Sequence, residues 1–192
     1  MNTQSTRADD ILRCARALIA RGGYNSFSYA DISKVVGIRT ASIHHHFPSK
    51  SDLVRVLVAQ YREEASAGLA RLEQAIPDPL DQLRAYLGYW ERCFADMAAP
   101  FCVCALLAGE TPVLPEEVAV EVRGHFRRLA EWLTGVFERG AAQGRLRLSG
   151  TARADAEMFM ATTHGAMLSA RAYGDAKAFG AITRPLLERI AA

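Results

Sequence analysis

The sequence predicts an all-α protein of about nine helices, three short and basic, then six mostly long and apolar. Three observations carry that prediction. Apolar residues recur at helical spacing along most of the 192 residues. No convincing run alternates apolar and polar β-branched residues, and the hairpin dipeptides Asn-Gly and Asp-Gly are absent. The composition, 50% hydrophobic and 23% charged, suits a folded chain rather than a disordered one.

Ile11, Leu12, Ala15, Leu18 and Ile19 form one stripe, which predicts a first helix over about 6–22, stopped by Gly22-Gly23. Ser28 as N-cap, with Asp31 three residues on, opens a second helix whose buried side is Ile32, Val35 and Val36. Gly37 breaks it. Arg39 to His46 forms a third, with Ile43 and Phe47 on its inner face and Pro48 at its end. Ser49 or Ser51 then caps a fourth helix through about residue 75, with Leu53, Val54, Leu57 and Tyr61 facing inward.

Asp78-Pro79-Leu80-Asp81 is a second clear helix start, an Asp cap with Pro in the first turn. Leu80, Leu83, Leu87, Trp90, Phe94 and Met97 continue as its apolar stripe until Pro100 interrupts. A short helix over about 101–110 follows. Leu114-Pro115-Glu116-Glu117 opens a long seventh helix carrying Val118, Val122, Phe126, Leu129, Leu133 and Val136, ended by Gly140 and Gly144. The last two cover about 151–174 and 177–191, and Pro185 is expected to kink or shorten the final one. The domain boundary is expected near residue 48, giving a head over 1–48 and a body over 49–192.

Charge is unevenly placed. Residues 1–60 hold eight basic and four acidic side chains, net +4, whereas residues 61–192 hold fifteen and seventeen, net −2. A basic head on a mildly acidic body points to a polyanionic partner for the head. The longest uncharged run, Met97 to Gly109, is 13 residues. A membrane-spanning helix needs about 20, so no membrane partner is expected. Two aspartates near the start, in MNTQSTRADD, leave no apolar secretory segment there, so the expected location is the cytoplasm. Four cysteines without framework spacing fit reduced thiols rather than structural disulfides.

Residues 28–47 have the logic of a helix-turn-helix: two short helices, a glycine between them, the second apolar on one side only. Its other side carries Arg39, Thr40, Ser42, His44, His45 and His46, which can donate hydrogen bonds to phosphates and base edges. Lys50 follows at the next helix start. The same polar face also fits a merely solvated surface or a protein-binding adaptor. Successive helical residues point about 100° apart, so three consecutive histidines cannot converge on one ion. No metal site is expected, and no cofactor.

The stretch from Phe27 to Leu53, with Gly37 at the turn, His46-Phe47 closing the third helix and Lys50 beyond it, resembles the DNA-binding head of TetR-family transcriptional regulators. Departures are His44, where the family usually has Tyr, and Ala41, where Gly is common. The resemblance implies that Ser28, His44 and Lys50 contact phosphate, that Arg39, Thr40 and Ser42 face base edges or nearby backbone, and that His45 and His46 fill the adjoining positions. It implies a homodimer on a near-palindromic double-stranded DNA operator, released by a small effector in the body.

For the body, the resemblance implies a pocket drawn from Tyr86, Trp90, Phe94, Phe101, Cys102, Phe126, Phe159, Met160 and His164, and a dimer face from Gly165, Ala166, Ser169, Leu186, Leu187 and Ile190. Many of these serve equally as plain monomer core. Phe101 to Glu110 is similar to the opening of the sixth helix in one subgroup, some members of which sense oxidants or electrophiles. That makes Cys102, with Cys104 beside it, a redox candidate; the alternative is that both are small core residues. An enzyme with a cysteine nucleophile and His164 or His125 is the remaining rival. The chain shows no Gly-rich phosphate loop, nucleophile elbow or zinc-spaced ligand set to support it, so a regulator rather than an enzyme is expected.

Overall fold

The computed structural model describes residues 6–95 and 101–192. Met97 and Pro100 lie outside the described residues. Among the described residues there are nine α-helices: α1 Arg7–Gly22, α2 Tyr29–Val36, α3 Thr40–His46, α4 Lys50–Ala75, α5 Pro79–Ala95, α6 Val103–Gly109, α7 Glu116–Ala142, α8 Ala152–Tyr173 and α9 Lys177–Ile190. Two short 3-10 turns, Tyr24–Ser26 and Thr111–Val113, join them. The protein is all-α.

Two compact units form. The first takes residues up to 63 and from 100 to 125; the second takes 64–99 and 126–192. Helices α4 and α7 therefore each begin in the first unit and end in the second.

In the first unit, Ile11, Ala15 and Ile19 of α1 are fully buried, as are Ile32, Ile43, Leu53, Val54 and Val58. Helix α2 starts at Ser28, whose N–H and hydroxyl both donate to Asp31 Oδ2, at 2.9 and 2.7 Å. It ends at Gly37, whose φ of 72° is left-handed and costs glycine little. Val35 departs from the expected buried side: it is 69% exposed. In so short a helix Ile32 and Val36 share a face four residues apart, and Val35 falls to its edge.

In the second unit, Leu83, Leu133, Val136, Phe137, Phe159, Met167 and Phe179 are fully or almost fully buried. Phe94 of α5 stacks on Phe179 of α9 at 5.4 Å between centroids. Helix α9 runs through Pro185 to Ile190, so the proline does not shorten it. The loop after α7 folds back over Gly140, where an added Cβ would collide with the Leu146 side chain. That loop then pairs with the chain end, Arg147 N–H donating to the Ile190 carbonyl at 2.8 Å. Asp155 is buried at the start of α8 and accepts from the Ser149 and Gly150 N–H groups at 2.9 and 3.3 Å.

Candidate functional site

Helix α3 is held from beneath. Ile43 is fully buried and Phe47 nearly so, which leaves Arg39, Thr40, Ala41, Ser42, His44, His45 and His46 all exposed on its outer surface. The apolar pair four residues apart accounts for that division, because it allows only one face to turn inward. Arg39 sits at the N-cap and the three histidines occupy the last turn. The His44 ring is edge-on to Tyr29 at 4.8 Å, and its Nδ1 lies 3.1 Å from the Pro48 carbonyl.

Tyr29 is a positioning residue that pattern reading passed over. Its hydroxyl donates to the carbonyls of Phe47 and Ser49, at 2.9 and 2.6 Å, and so ties α2 to the turn that ends α3. Burial, with the Asp52 charge adding to it, pushes the phenol up to about 12, which keeps the donor proton in place. The only signal for it was an aromatic side chain at the start of a short polar helix.

Lys50 and Ser28 are engaged inside the head. The Lys50 ammonium donates to the Phe27 carbonyl at 2.5 Å and lies over the Tyr24 and Phe27 rings at 4.8 and 4.3 Å. Burial lowers its pKa, against the opposing pull of Glu110 and Asp31. The Ser28 hydroxyl proton goes to Asp31. Contact with a phosphate by Ser28 as donor means giving up the bond to Asp31, whereas the Lys50 ammonium has N–H groups beyond the one that the Phe27 carbonyl holds. The Glu110 carboxylate also reaches this corner, accepting from the Tyr24 N–H at 2.6 Å.

At the other end of α6 lies a buried cluster. The Tyr61 hydroxyl is 3.4 Å from Cys102 Sγ, and His125 Nε2 is 3.9 Å from the same sulfur. The Arg16 guanidinium stands over the Tyr61 ring at 4.8 Å. Cys102 and Cys104 are both buried free thiols. Burial pushes the pKa of each up; for Cys102 the Tyr61 hydrogen bond works in the opposite direction. His125, the candidate partner of a cysteine nucleophile, and Arg16, which no motif marked, are both far from Cys102 along the chain, so no local spacing tied them to it.

In the second unit, Tyr86 and Trp90 lie one turn apart on α5 and are buried. Tyr86 meets Trp132 of α7 at 5.8 Å and Phe159 of α8 at 6.3 Å. His164 of α8 packs on Phe126 at 5.1 Å. Met160 is buried beside them in sequence, and Phe94 is half-buried. Phe101 and Cys102, named with these residues as one pocket, belong to the first unit.

A family model of bacterial regulatory proteins of the tetR family matches residues 11–57, and one of tetracyclin repressor-like C-terminal domains matches residues 79–186. The chain belongs to the TetR family. A TetR-family transcriptional regulator from Agrobacterium tumefaciens of known crystal structure is 76% identical, with a TM-score of 0.95 over 96% of this chain and 97% of that one. A TetR regulator from Legionella pneumophila is 26% identical, with a TM-score of 0.87 over 98% of both chains. The HTH-type transcriptional repressor KstR2 of Mycobacterium tuberculosis is 28% identical over 80 residues, 42% of this chain and 40% of that repressor.

In this TetR-family chain the helices expected to dimerise are α8 and α9. Ala166 and Ile190 are already buried within the protomer, whereas Gly165, Ser169, Leu186 and Leu187 are half-buried. The exposed large hydrophobic side chains of α8 are instead Met158, Leu168 and Tyr173, at 44%, 52% and 74%. No described helix is long and apolar enough to cross a membrane.

Proposed function

We propose that this TetR-family regulator is a repressor that binds a near-palindromic operator as a homodimer, each copy reading one major groove with α3. The observation that carries the reading is the division of α3. Ile43 and Phe47 hold it from below, and Arg39, Thr40, Ser42 and the three histidines stand exposed above. An exposed helix face of this chemistry fits the major groove. On this reading the head over 1–48 is the source of these contacts and the remainder the seat of dimerisation and ligand binding, although residues up to 63 and 100–125 pack as one compact unit. The exposed Met158 and Leu168, with half-buried Gly165 and Ser169 beside them, support an interface on α8.

A small molecule that binds the body better in the DNA-free arrangement releases the operator, since only differential affinity shifts such an equilibrium. The test is a gel shift with DNA upstream of the chain's own gene. The wild type retards it, affinity falls by about 0.9 log units per tenfold rise in salt for each phosphate neutralised, and Arg39→Ala lowers both affinity and slope. Binding unchanged by Arg39→Ala and Ser42→Ala together would remove α3 as the reader. A monomer in sedimentation at micromolar concentration would remove the dimer.

The second reading is release by oxidation or alkylation of Cys102. His125 and Tyr61 beside the sulfur favour it. Burial raises the thiol's pKa and disfavours the reactive thiolate, which places this reading second. If Cys102→Ser responds to peroxide as the wild type does, it fails.

A further inference from the structure

Among the described residues, the interior of the second unit leaves three buried polar atoms without a hydrogen-bond partner: Trp90 Nε1, Trp132 Nε1 and His164 Nε2. The unit's other buried polar side chains are satisfied. Gln82 donates to the Ile76 carbonyl, Thr163 to Phe159 and Thr183 to Phe179, at 2.7, 2.8 and 2.9 Å, and Asp155 accepts from Ser149 and Gly150. Buried polar groups are nearly always paired, so three exceptions in one interior need an explanation. They come from three different helices, α5, α7 and α8, which ring contacts join pairwise: Tyr86 to Trp132, Tyr86 to Phe159, and Phe126 to His164.

The hydrogen-bonding sense of each atom is defined. An indole N–H only donates. His164 is bonded through its other ring nitrogen to the Met160 carbonyl, so Nδ1 carries the proton and Nε2 is left as an acceptor. The interior therefore holds two unpaired donors and one unpaired acceptor among otherwise aromatic and aliphatic side chains. It offers no countercharge. Among the described residues every Lys and Arg of this unit is exposed except Arg139, which pairs with Glu73 at 2.6 Å, and the one buried acid, Asp155, is already capped.

We infer that the effector of this regulator is an uncharged, largely apolar ring compound bearing a carbonyl or ether oxygen for the two indoles and a hydroxyl or N–H for His164 Nε2. This deepens the ligand-release reading and rests on it. A site built this way discriminates against analogues that leave its buried polar groups unpaired, and against ions that it cannot neutralise.

The test is calorimetric titration of the full-length protein at pH 6.5 with three probes: 4-hydroxyacetophenone, which has the acceptor and the donor; 4-hydroxybenzoate, which adds a charge; and ethylbenzene, which has neither. The first should bind about tenfold or more tighter than the others. Trp132→Phe and His164→Leu should each weaken it about fivefold to tenfold, the loss of one neutral hydrogen bond. Trp132→Phe should leave the unliganded protein folded, its melting temperature falling only by what the smaller ring loses against Tyr86, because the donor it deletes is unpaired. Equal or tighter binding of 4-hydroxybenzoate, no binding of 4-hydroxyacetophenone, or unaltered affinity in both variants overturns the inference. Release of operator DNA is read separately by gel shift. Binding of 4-hydroxyacetophenone without release keeps the assigned chemistry and removes the effector role proposed above.

Discussion

His164 should make the stability of the second unit depend on pH in a defined window. Burial, opposed by the bond to the Met160 carbonyl, takes its pKa from the ordinary 6.5 down to about 4. Between those values the unfolded chain holds the proton and the folded chain does not. Stability therefore rises with pH across the window, being fully present above about 6.5 and lost by about 4. The separation of about 2.5 pH units, at about 1.36 kcal/mol each, gives a loss of about 3 kcal/mol on acidification. Carboxylates titrate in the lower part of the same range, so the informative quantity is the difference from His164→Leu, which lacks only this group. Urea unfolding of both proteins at half-unit steps from pH 7 to pH 4 measures it. The wild-type curve should fall below the variant's by about 3 kcal/mol more at pH 4 than at pH 7. Parallel curves would mean that the ring is solvated and titrates normally, and would refute the reasoning.

Three further outcomes are expected. Ile43→Ala, at a position with no exposure, should cost about 2–5 kcal/mol by chemical denaturation and weaken operator binding together with the fold of α3. Glu110→Ala should cost about 1.5–3 kcal/mol, because it removes a charged acceptor 2.6 Å from the Tyr24 N–H and leaves that donor unmet; Glu110→Gln should recover part of the loss in the same assay. Gly37→Val should lower stability by at least about 1–2 kcal/mol, since φ there is 72° and a β-branched side chain is poorly tolerated, while Gly37→Asn should cost less in parallel thermal melts.

The helices were legible because their causes are local. Ser28 with Asp31, and Asp78 with Pro79, announce starts within a few residues, and Ile43 with Phe47 determines which side of α3 faces out. Val35 shows where that logic weakens: over eight residues a stripe has no second turn to confirm its edge, and the side chain ended outside. Pro185 shows a propensity overridden, since α9 continues through it with its apolar face packed on α8 and α5.

By itself, the sequence determined the all-α class, the helix-turn-helix and the exposed chemistry of α3, because each follows from spacing along one or two helices. Tertiary structure alone decided what meets across the chain. Lys50 turns onto Phe27, Glu110 reaches Tyr24, and His125 comes to within 3.9 Å of Cys102. It likewise decided that two indole N–H groups and one imidazole nitrogen lie inside the second unit without partners. These pairings join residues on separate helices, and a periodicity repeated every 3.6 residues says which face is buried but not what it is buried against.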